Sequence, residues 1–318
     1  MAYNVSALTD YTIENQELLV MKSLFGSRTM QLIQAEGNVM TGVKSSEKIN
    51  ILDTDATFQT GGTCGFLSSG STTFTQRTVT VGKIKVNESL CPKALEAKYT
   101  QKALQVGSRY DKIPFEEQYT NQKAGKIAEQ LETAFWKGDT SSSDANLNKF
   151  DGLIKLLDAA ATYANGNPSG ITTATGITAS NVKGIVANMW IQMRAAMMGK
   201  EDIRIFCGWD TFNLFISAYT DLNLFHFAPA GSEVSAANGE VIVPGTNYKL
   251  TAVHGLDGTN RLFTIRMSNI FLGTDLENEE ERWEIFFAKE ADEIRFIVEF
   301  KDGINVAFPD EVVSFKLV

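Results

Sequence analysis

Asp111-Lys112-Ile113-Pro114-Phe115-Glu116-Glu117, running on to Leu131-Glu132-Thr133-Ala134-Phe135-Trp136-Lys137-Gly138-Asp139, decides the fold. Asp111 is a candidate N-cap, and Pro114 suits a first helical turn. Glu116 and Glu117 lie where a helix is electropositive, Lys137 lies where it is electronegative, and Gly138 fits the terminating position. Phe115, Tyr119, Ile127, Leu131 and Phe135 recur at steps of four or eight, which is one apolar stripe. About 23 residues at 1.5 Å each make a rod of roughly 34 Å. A rod of that length with one buried stripe is a structural spine.

Outward from the rod, the preceding chain changes character twice. Residues 1 to 48 read as an arm, with one short helical pattern from Asn15 to Phe25 closed by Gly26. So short a helix is marginal alone and must dock on something. From 49 to 91, Thr, Ser and Gly dominate, as in Leu67-Ser68-Ser69-Gly70-Ser71-Thr72-Thr73. Thr78 to Val86 then alternates with period two, the pattern of a strand with one apolar face. Together these read as a long two-stranded tongue. An isolated hairpin is barely stable in water, so a tongue this polar needs another surface. A further helix is expected over 92 to 107, with Pro92 in its first turn and Gly107 at its end.

Beyond the rod, 139 to 149 is a polar loop, and Phe150-Asp151-Gly152-Leu153 opens the next packed unit. Residues 163 to 178 form a Gly/Thr/Asn-rich loop. A second helix is expected from Ser180 or Asn181 to Gly199, with Val182, Ile185, Val186, Met189, Trp190, Met193 and Met197 on its apolar face. The strand Ile203-Arg204-Ile205-Phe206-Cys207 then leads to a third helix, with Asp210 as its candidate N-cap. From 240 the chain alternates strands and turns. Strands are expected at 248 to 254, 261 to 267, 283 to 287, 294 to 300 and 312 to 317. The turn signals are Asp257-Gly258, Asp302-Gly303 and Pro309-Asp310.

Composition narrows the function. The chain has 318 residues, 43% of them hydrophobic, enough for one large domain or two smaller ones. Acidic residues outnumber basic by 38 to 29, giving a net charge of -9, so a global electrostatic grip on nucleic acid is not expected. Cys64, Cys91 and Cys207 are odd in number and widely spaced, and read as free thiols in a reducing compartment. Neither a signal core nor a run of about 20 apolar residues is present, so a soluble, cytoplasmically made protein with no membrane partner is expected.

Chemistry-bearing patterns are weak. His226 and His254, the only histidines, share no metal-ligand spacing. Gly61-Gly62-Thr63-Cys64-Gly65 lacks the Gly-Lys-Ser/Thr ending and following helix of a phosphate loop. Asp275-Leu276-Glu277-Asn278-Glu279-Glu280-Glu281 lacks the glycine turn of a calcium loop. It reads as a solvated acidic segment, or one that answers basic residues on a neighbour. Phe286, Phe287, Phe296 and Phe300 read as core and strand-face residues. No catalytic residue, metal or cofactor is expected.

The order of parts resembles the major capsid proteins of tailed bacteriophages, the Hong Kong 97-like fold. The matching parts are the arm, the tongue, the long helix 112 to 137 with its exit at Phe150-Asp151-Gly152-Leu153, and the helix-strand-helix unit 180 to 220. The strands 283 to 287 and 294 to 300 are similar to a long β-arm, and Phe308 to Leu317 to a returning strand. The resemblance implies an α+β phage capsid fold with an N-terminal arm (1–48), an extended β-hairpin loop (49–91), a peripheral domain with a long spine helix (92–149 and 266–304) and an axial domain (150–265 and 305–318).

It further implies self-assembly into hexamers and pentamers of an icosahedral shell around double-stranded DNA, located in the virion after synthesis in the host cytoplasm. Portal and decoration or auxiliary capsid proteins are implied partners. Many relatives carry a charged helical segment ahead of the arm; here the arm is short, which implies a separate scaffolding protein or none. Some relatives crosslink a tongue lysine to an asparagine; Lys83 and Lys85 lie in that region, but no partner stands out and no crosslink is expected. Arg77, Lys83, Lys85, Glu279, Glu280, Glu281, Lys289, Glu290 and Asp292 are the candidate assembly residues, with Ala288 to Asp292 as the β-arm tip. Two other functions remain open: an encapsulin-type cellular compartment shell, and a metal-dependent hydrolase assembled from scattered carboxylates.

Overall fold

A computed structural model describes residues 27–36, 38–59, 69–90, 115–221, 239–275, 282–291 and 293–317. The helical patterns at 15–25 and 92–107, the caps Asp111 and Pro114, the Gly61–Gly65 turn, Cys64, Cys91 and His226 lie outside them, as do Glu279, Glu280, Glu281 and Asp292.

The long helix, α2, spans Phe115–Lys137. Its stripe is buried through Ala124, Ile127, Ala128, Leu131, Ala134 and Phe135. It ends at Gly138 because the chain turns back on itself there. A Cβ on Gly138 would lie 2.5 Å from the Ala134 carbonyl oxygen and 2.6 Å from that of Phe150. Trp136 projects from the last turn between Phe206 and Phe263, with ring centroids 5.3 and 5.8 Å away.

Two sheets flank this rod. The first runs β1 (Val39–Met40), β10 (Ile270–Thr274), β12 (Glu293–Val306), β11 (Arg282–Ala288), with β4 (Gly82–Leu90) also paired to β12. The second runs β5 (Ala164–Asn165), β13 (Val313–Lys316), β9 (Arg261–Arg266), β6 (Ile203–Cys207), β8 (Lys249–Ala252), β7 (Glu240–Ile242). β6 carries Ile203, Ile205 and Cys207 on one face and Arg204 and Phe206 on the other, and both faces are largely covered. Phe206 joins the core around α2, while Ile203, Ile205 and Cys207 face a second core. That second core is built from α4 (Val182–Ile191) and α5 (Trp209–Asp221). The short helices α1 (Arg28–Glu36) and α3 (Leu153–Ala160) pack into the core around α2. A separate ribbon pairs β2 (Ser46–Thr54) with β3 (Thr72–Thr80).

Several expectations are corrected. The strand expected from Thr78 to Val86 is two strands, broken at Val81. β3 belongs to the ribbon, and β4 crosses into the first sheet with Ile84 opposite Phe300. Gly82 permits the crossing, since a Cβ there would stand 2.0 Å from the Lys149 carbonyl oxygen. Asp302-Gly303 is not a turn but the interior of β12, where Gly303 pairs with Gly273. The glycine is needed for close approach: a Cβ would lie 2.1 Å from the Thr80 carbonyl oxygen of the ribbon passing over it.

The second expected helix ends at Ile191 rather than Gly199, yet Met193 and Met197 stay buried in the turns that follow. Asn181 sits at its N-cap position, but its amide serves the preceding loop, donating to the Gly176 carbonyl at 2.9 Å. Asp210 lies inside the first turn of α5 rather than at its N-cap position, and its carboxylate accepts the Thr211 N–H at 2.8 Å. Asp257 accepts the Trp209 N–H at 2.7 Å, and Asp210 accepts Gly258 N–H at 3.1 Å. β7 and β10 are strands that the sequence pattern did not single out.

Candidate assembly surfaces

The ribbon has two unlike faces. On one, Ile49, Ile51 and Val79 are buried against Ala307, with Met40 and Phe271 alongside. The ribbon root is also fastened to β12, since Asn305 Nδ2 donates to the Thr78 carbonyl at 2.7 Å. Arg77 is half-buried there, with Nη2 3.5 Å from Asn305 Oδ1 and its Nε buried without a hydrogen-bond partner among the described residues. Burial lowers the affinity of its guanidinium for the proton from the ordinary value.

The opposite face carries cross-strand polar pairs. Gln76 Nε2 donates to Asn50 Oδ1 at 2.8 Å, and the Thr54 and Thr72 hydroxyls are 3.2 Å apart. Between them Leu52 stands opposite Phe74 in the register. Leu52 is 57% exposed, Phe74 78% and nearby Phe58 100%. Large apolar side chains on a thin ribbon have no interior of their own to enter.

The other candidate residues fall on the first sheet. The outward face of β4 carries Lys83 and Lys85, both exposed. Lys85 is paired within the chain to Glu299 across the strand pair. Val86 and Glu88 lie on the other face, where the Tyr119 hydroxyl of α2 donates to Glu88 at 3.0 Å and Lys123 pairs with it. Burial raises the Tyr119 phenol well above its usual range, with Glu88 adding to the shift. β11 and β12 form a hairpin whose turn presents Lys289 and Glu290 to solvent. In that hairpin Phe296 and Phe300 are buried and Phe286 is half-buried.

Asp275, the first residue of the acidic run, is not solvated. It is buried and accepts Lys301 Nζ at 2.8 Å. Trp190, Ile191 and Met198 form a second group of exposed apolar side chains near the end of α4. Trp190, expected on the apolar face of this helix, is thus partly in solvent.

The titratable groups are arranged for structure. His254 Nδ1 lies 2.8 Å from Asp257 Oδ2, and its ring stacks on Trp209 at 5.6 Å. Asp257 in turn caps α5, so the dyad closes a turn. Cys207 is buried, and burial drives its thiol well above the usual range, which suppresses the reactive thiolate. Among the described residues no three His, Cys, Asp or Glu side chains gather as a metal site requires. No helix among the described residues is long and apolar enough to cross a membrane.

No protein-family model matches the sequence. No curated protein matches it. Solved structures do. A chain of the satellite phage P4 procapsid, which includes a size determination protein, aligns with a TM-score of 0.61 at 12% identity, over 95% of this chain and 90% of that one. The fold is that of phage capsid subunits. The capsid of an empty GTA particle aligns with a TM-score of 0.56 at 12% identity, over 90% of this chain and 89% of that one. A virus-like particle from Pyrococcus furiosus aligns with a TM-score of 0.52 at 8% identity, over 94% of this chain and 96% of that one. At these identities the likeness is one of fold. The mixed helix and sheet architecture expected of the capsid fold is therefore present.

Proposed function

We propose that this chain is the major capsid protein of a tailed phage, assembling into the hexamers and pentamers of an icosahedral shell around double-stranded DNA. The observation that carries the reading is the ribbon β2–β3, which presents Leu52 and Phe74 side by side in water on a capsid fold. A ribbon with one apolar pair gains its stability by lying across a neighbour, and repeated contacts between identical surfaces close a shell. In this reading the ribbon is the projecting part of the extended loop of 49–91, although β2 begins three residues earlier and β4 at the far end joins the first sheet; α2 is the spine of a peripheral domain (92–149 and 266–304), and the six-stranded sheet lies in an axial domain (150–265 and 305–318). Residues 1–48 form the arm.

Lys83, Lys289 and Glu290 are free to meet a neighbouring capsomer, whereas Arg77 and Lys85 already hold partners in their own chain and tune those strands instead. Glu279, Glu280, Glu281 and Asp292 are proposed for the same contacts on their sequence position alone. Scaffolding, portal and decoration or auxiliary capsid proteins are the further partners of this reading. DNA is enclosed without sequence-specific contact, in keeping with a net charge of -9.

Light scattering and electron microscopy of the purified protein test the proposal. Rings or shells are expected; a monomer that persists at high concentration under all assembly conditions refutes it. A second reading, a cellular compartment shell of the encapsulin type, is favoured by the likeness to the Pyrococcus furiosus particle. Its mark is an enzyme cargo that copurifies with the shells, where a capsid protein brings scaffold or portal.

A further inference from the structure

Helix α1 is anchored by polar contacts to the long helix and to the six-stranded sheet, and by apolar packing beside the five-stranded one. At its N-terminus Ser27 Oγ accepts the Met30 N–H at 3.3 Å. The next free amide, Thr29 N–H, is met by Glu132 Oε2 of the long helix at 2.9 Å. The Thr29 hydroxyl donates to Glu132 Oε1 at 2.5 Å and accepts Trp136 Nε1–H at 2.9 Å. All three side chains are buried. One residue earlier, Arg28 reaches the other way. Its Nη2 lies 3.3 Å from Glu240 Oε1 at the edge of the six-stranded sheet, and Arg204 Nη1 shares that oxygen at 2.9 Å. Met30 and Ile33 lie in the core around α2 with Leu272 of the five-stranded sheet.

A carboxylate at a helix N-terminus is favoured by the helix dipole, but a buried one loses its hydration. We propose that α1 is a strap clamping the two sheets of the subunit together, with the buried Glu132 carboxyl as its releasable anchor.

The anchor is sensitive to pH in a defined direction. Burial raises the Glu132 carboxyl above its ordinary value, against the opposing hydrogen bonds from Thr29 and Ser27 and the charge of His254. A group whose docked value is raised holds best while protonated, and its hold weakens as pH rises through that value. The other charged groups on the elements around it are engaged elsewhere. Arg28 is turned to Glu240, Lys137 to the Asp257 carbonyl, Glu129 to Lys126, and His254 to Asp257.

Amide hydrogen exchange on the full chain at several pH values, corrected for intrinsic rates, tests the strap. In the wild type, protection over 28–36 is expected to fall with rising pH while both sheets hold theirs. Glu132→Gln, which stays neutral and still accepts the Thr29 N–H, should abolish that pH response. Thr29→Val removes the hydroxyl's hydrogen bonds to Glu132 and Trp136 and should speed exchange over 28–36 by roughly tenfold or more. Two results overturn the proposal: α1 exchanging in step with the sheets in wild type and Thr29→Val alike, or a wild-type pH response that survives Glu132→Gln and disappears in His254→Asn. Should Glu132→Gln not fold, the Thr29→Val and His254→Asn arms decide alone.

Discussion

Replacing both Leu52 and Phe74 with threonine strips the ribbon of its apolar pair while keeping β-propensity and the strand register. Both side chains are mostly in water in the single subunit, at 57% and 78% exposure. The folded monomer therefore has little to lose, and its melting temperature should stay within the small range typical of surface changes. Assembly has more to lose. Full burial of a large apolar side chain is worth about 1.5–3 kcal/mol. Scaled by the fraction still exposed, Leu52 supplies about 1 kcal/mol and Phe74 about 2 kcal/mol to each contact. A loss of about 3 kcal/mol weakens each ribbon contact by roughly two orders of magnitude. Every subunit in a closed shell contributes one ribbon, so the threshold concentration for shells should rise at least a hundredfold or shells should vanish. Light scattering against concentration, with electron microscopy of the plateau, measures this. Shells forming at the wild-type threshold would refute the assignment of this face, and a collapsed monomer melt would show that the pair acts within the subunit.

Leu131 is only 3% exposed on the α2 stripe. Leu131→Asp should cost several kcal/mol and abolish soluble folded protein, checked by expression and circular dichroism. Lys301→Met breaks the buried pair with Asp275 and should lower stability by about 3–5 kcal/mol in a denaturant melt, with the ribbon-root amides exchanging faster. The loop after α2 should open in acid. Hydrogen bonds from Lys155 and Ser141 hold the Asp139 carboxyl down at about 2, and at Asp151 the bonds from Lys155 and Thr140 outweigh a burial that acts in the opposite sense. Depressed carboxyls stabilise above their unfolded values, near 4, and that contribution is lost as pH falls toward 2. NMR titration should find Asp139 low in the wild type and raised in Lys155→Met, though still below 3.8 because the Ser141 hydrogen bonds remain.

Local rules made some elements legible. The α2 stripe and its glycine stop, the two-faced strand Ile203–Cys207 and the polar loop after Gly138 each follow from side chains within a few residues. Other elements misled for one physical reason. Asp302-Gly303 has the composition of a turn, yet Gly303 is small because the ribbon backbone crosses it, not because the chain bends. Val81-Gly82 reads as the middle of a strand, yet the loop at Lys149 forces the break. Among the candidate assembly residues, Lys85 and Arg77 looked free because Glu299 and Asn305 are more than 200 residues away. The buried anchor Glu132 had no sequence signal, since a glutamate on a long helix is usually solvated.

By itself the sequence determined the long helix with its stop at Gly138 and the strand Ile203–Cys207, because periodicity and caps act within a turn or two of the chain. It also determined that the ribbon could not bury its own surface, because Thr, Ser and Gly supply too little apolar area. Only the tertiary structure decided which strands cross, which glycines make room, and that Leu52 and Phe74 meet on one open face. Those outcomes depend on close approach between distant segments, where a single Cβ either fits or clashes.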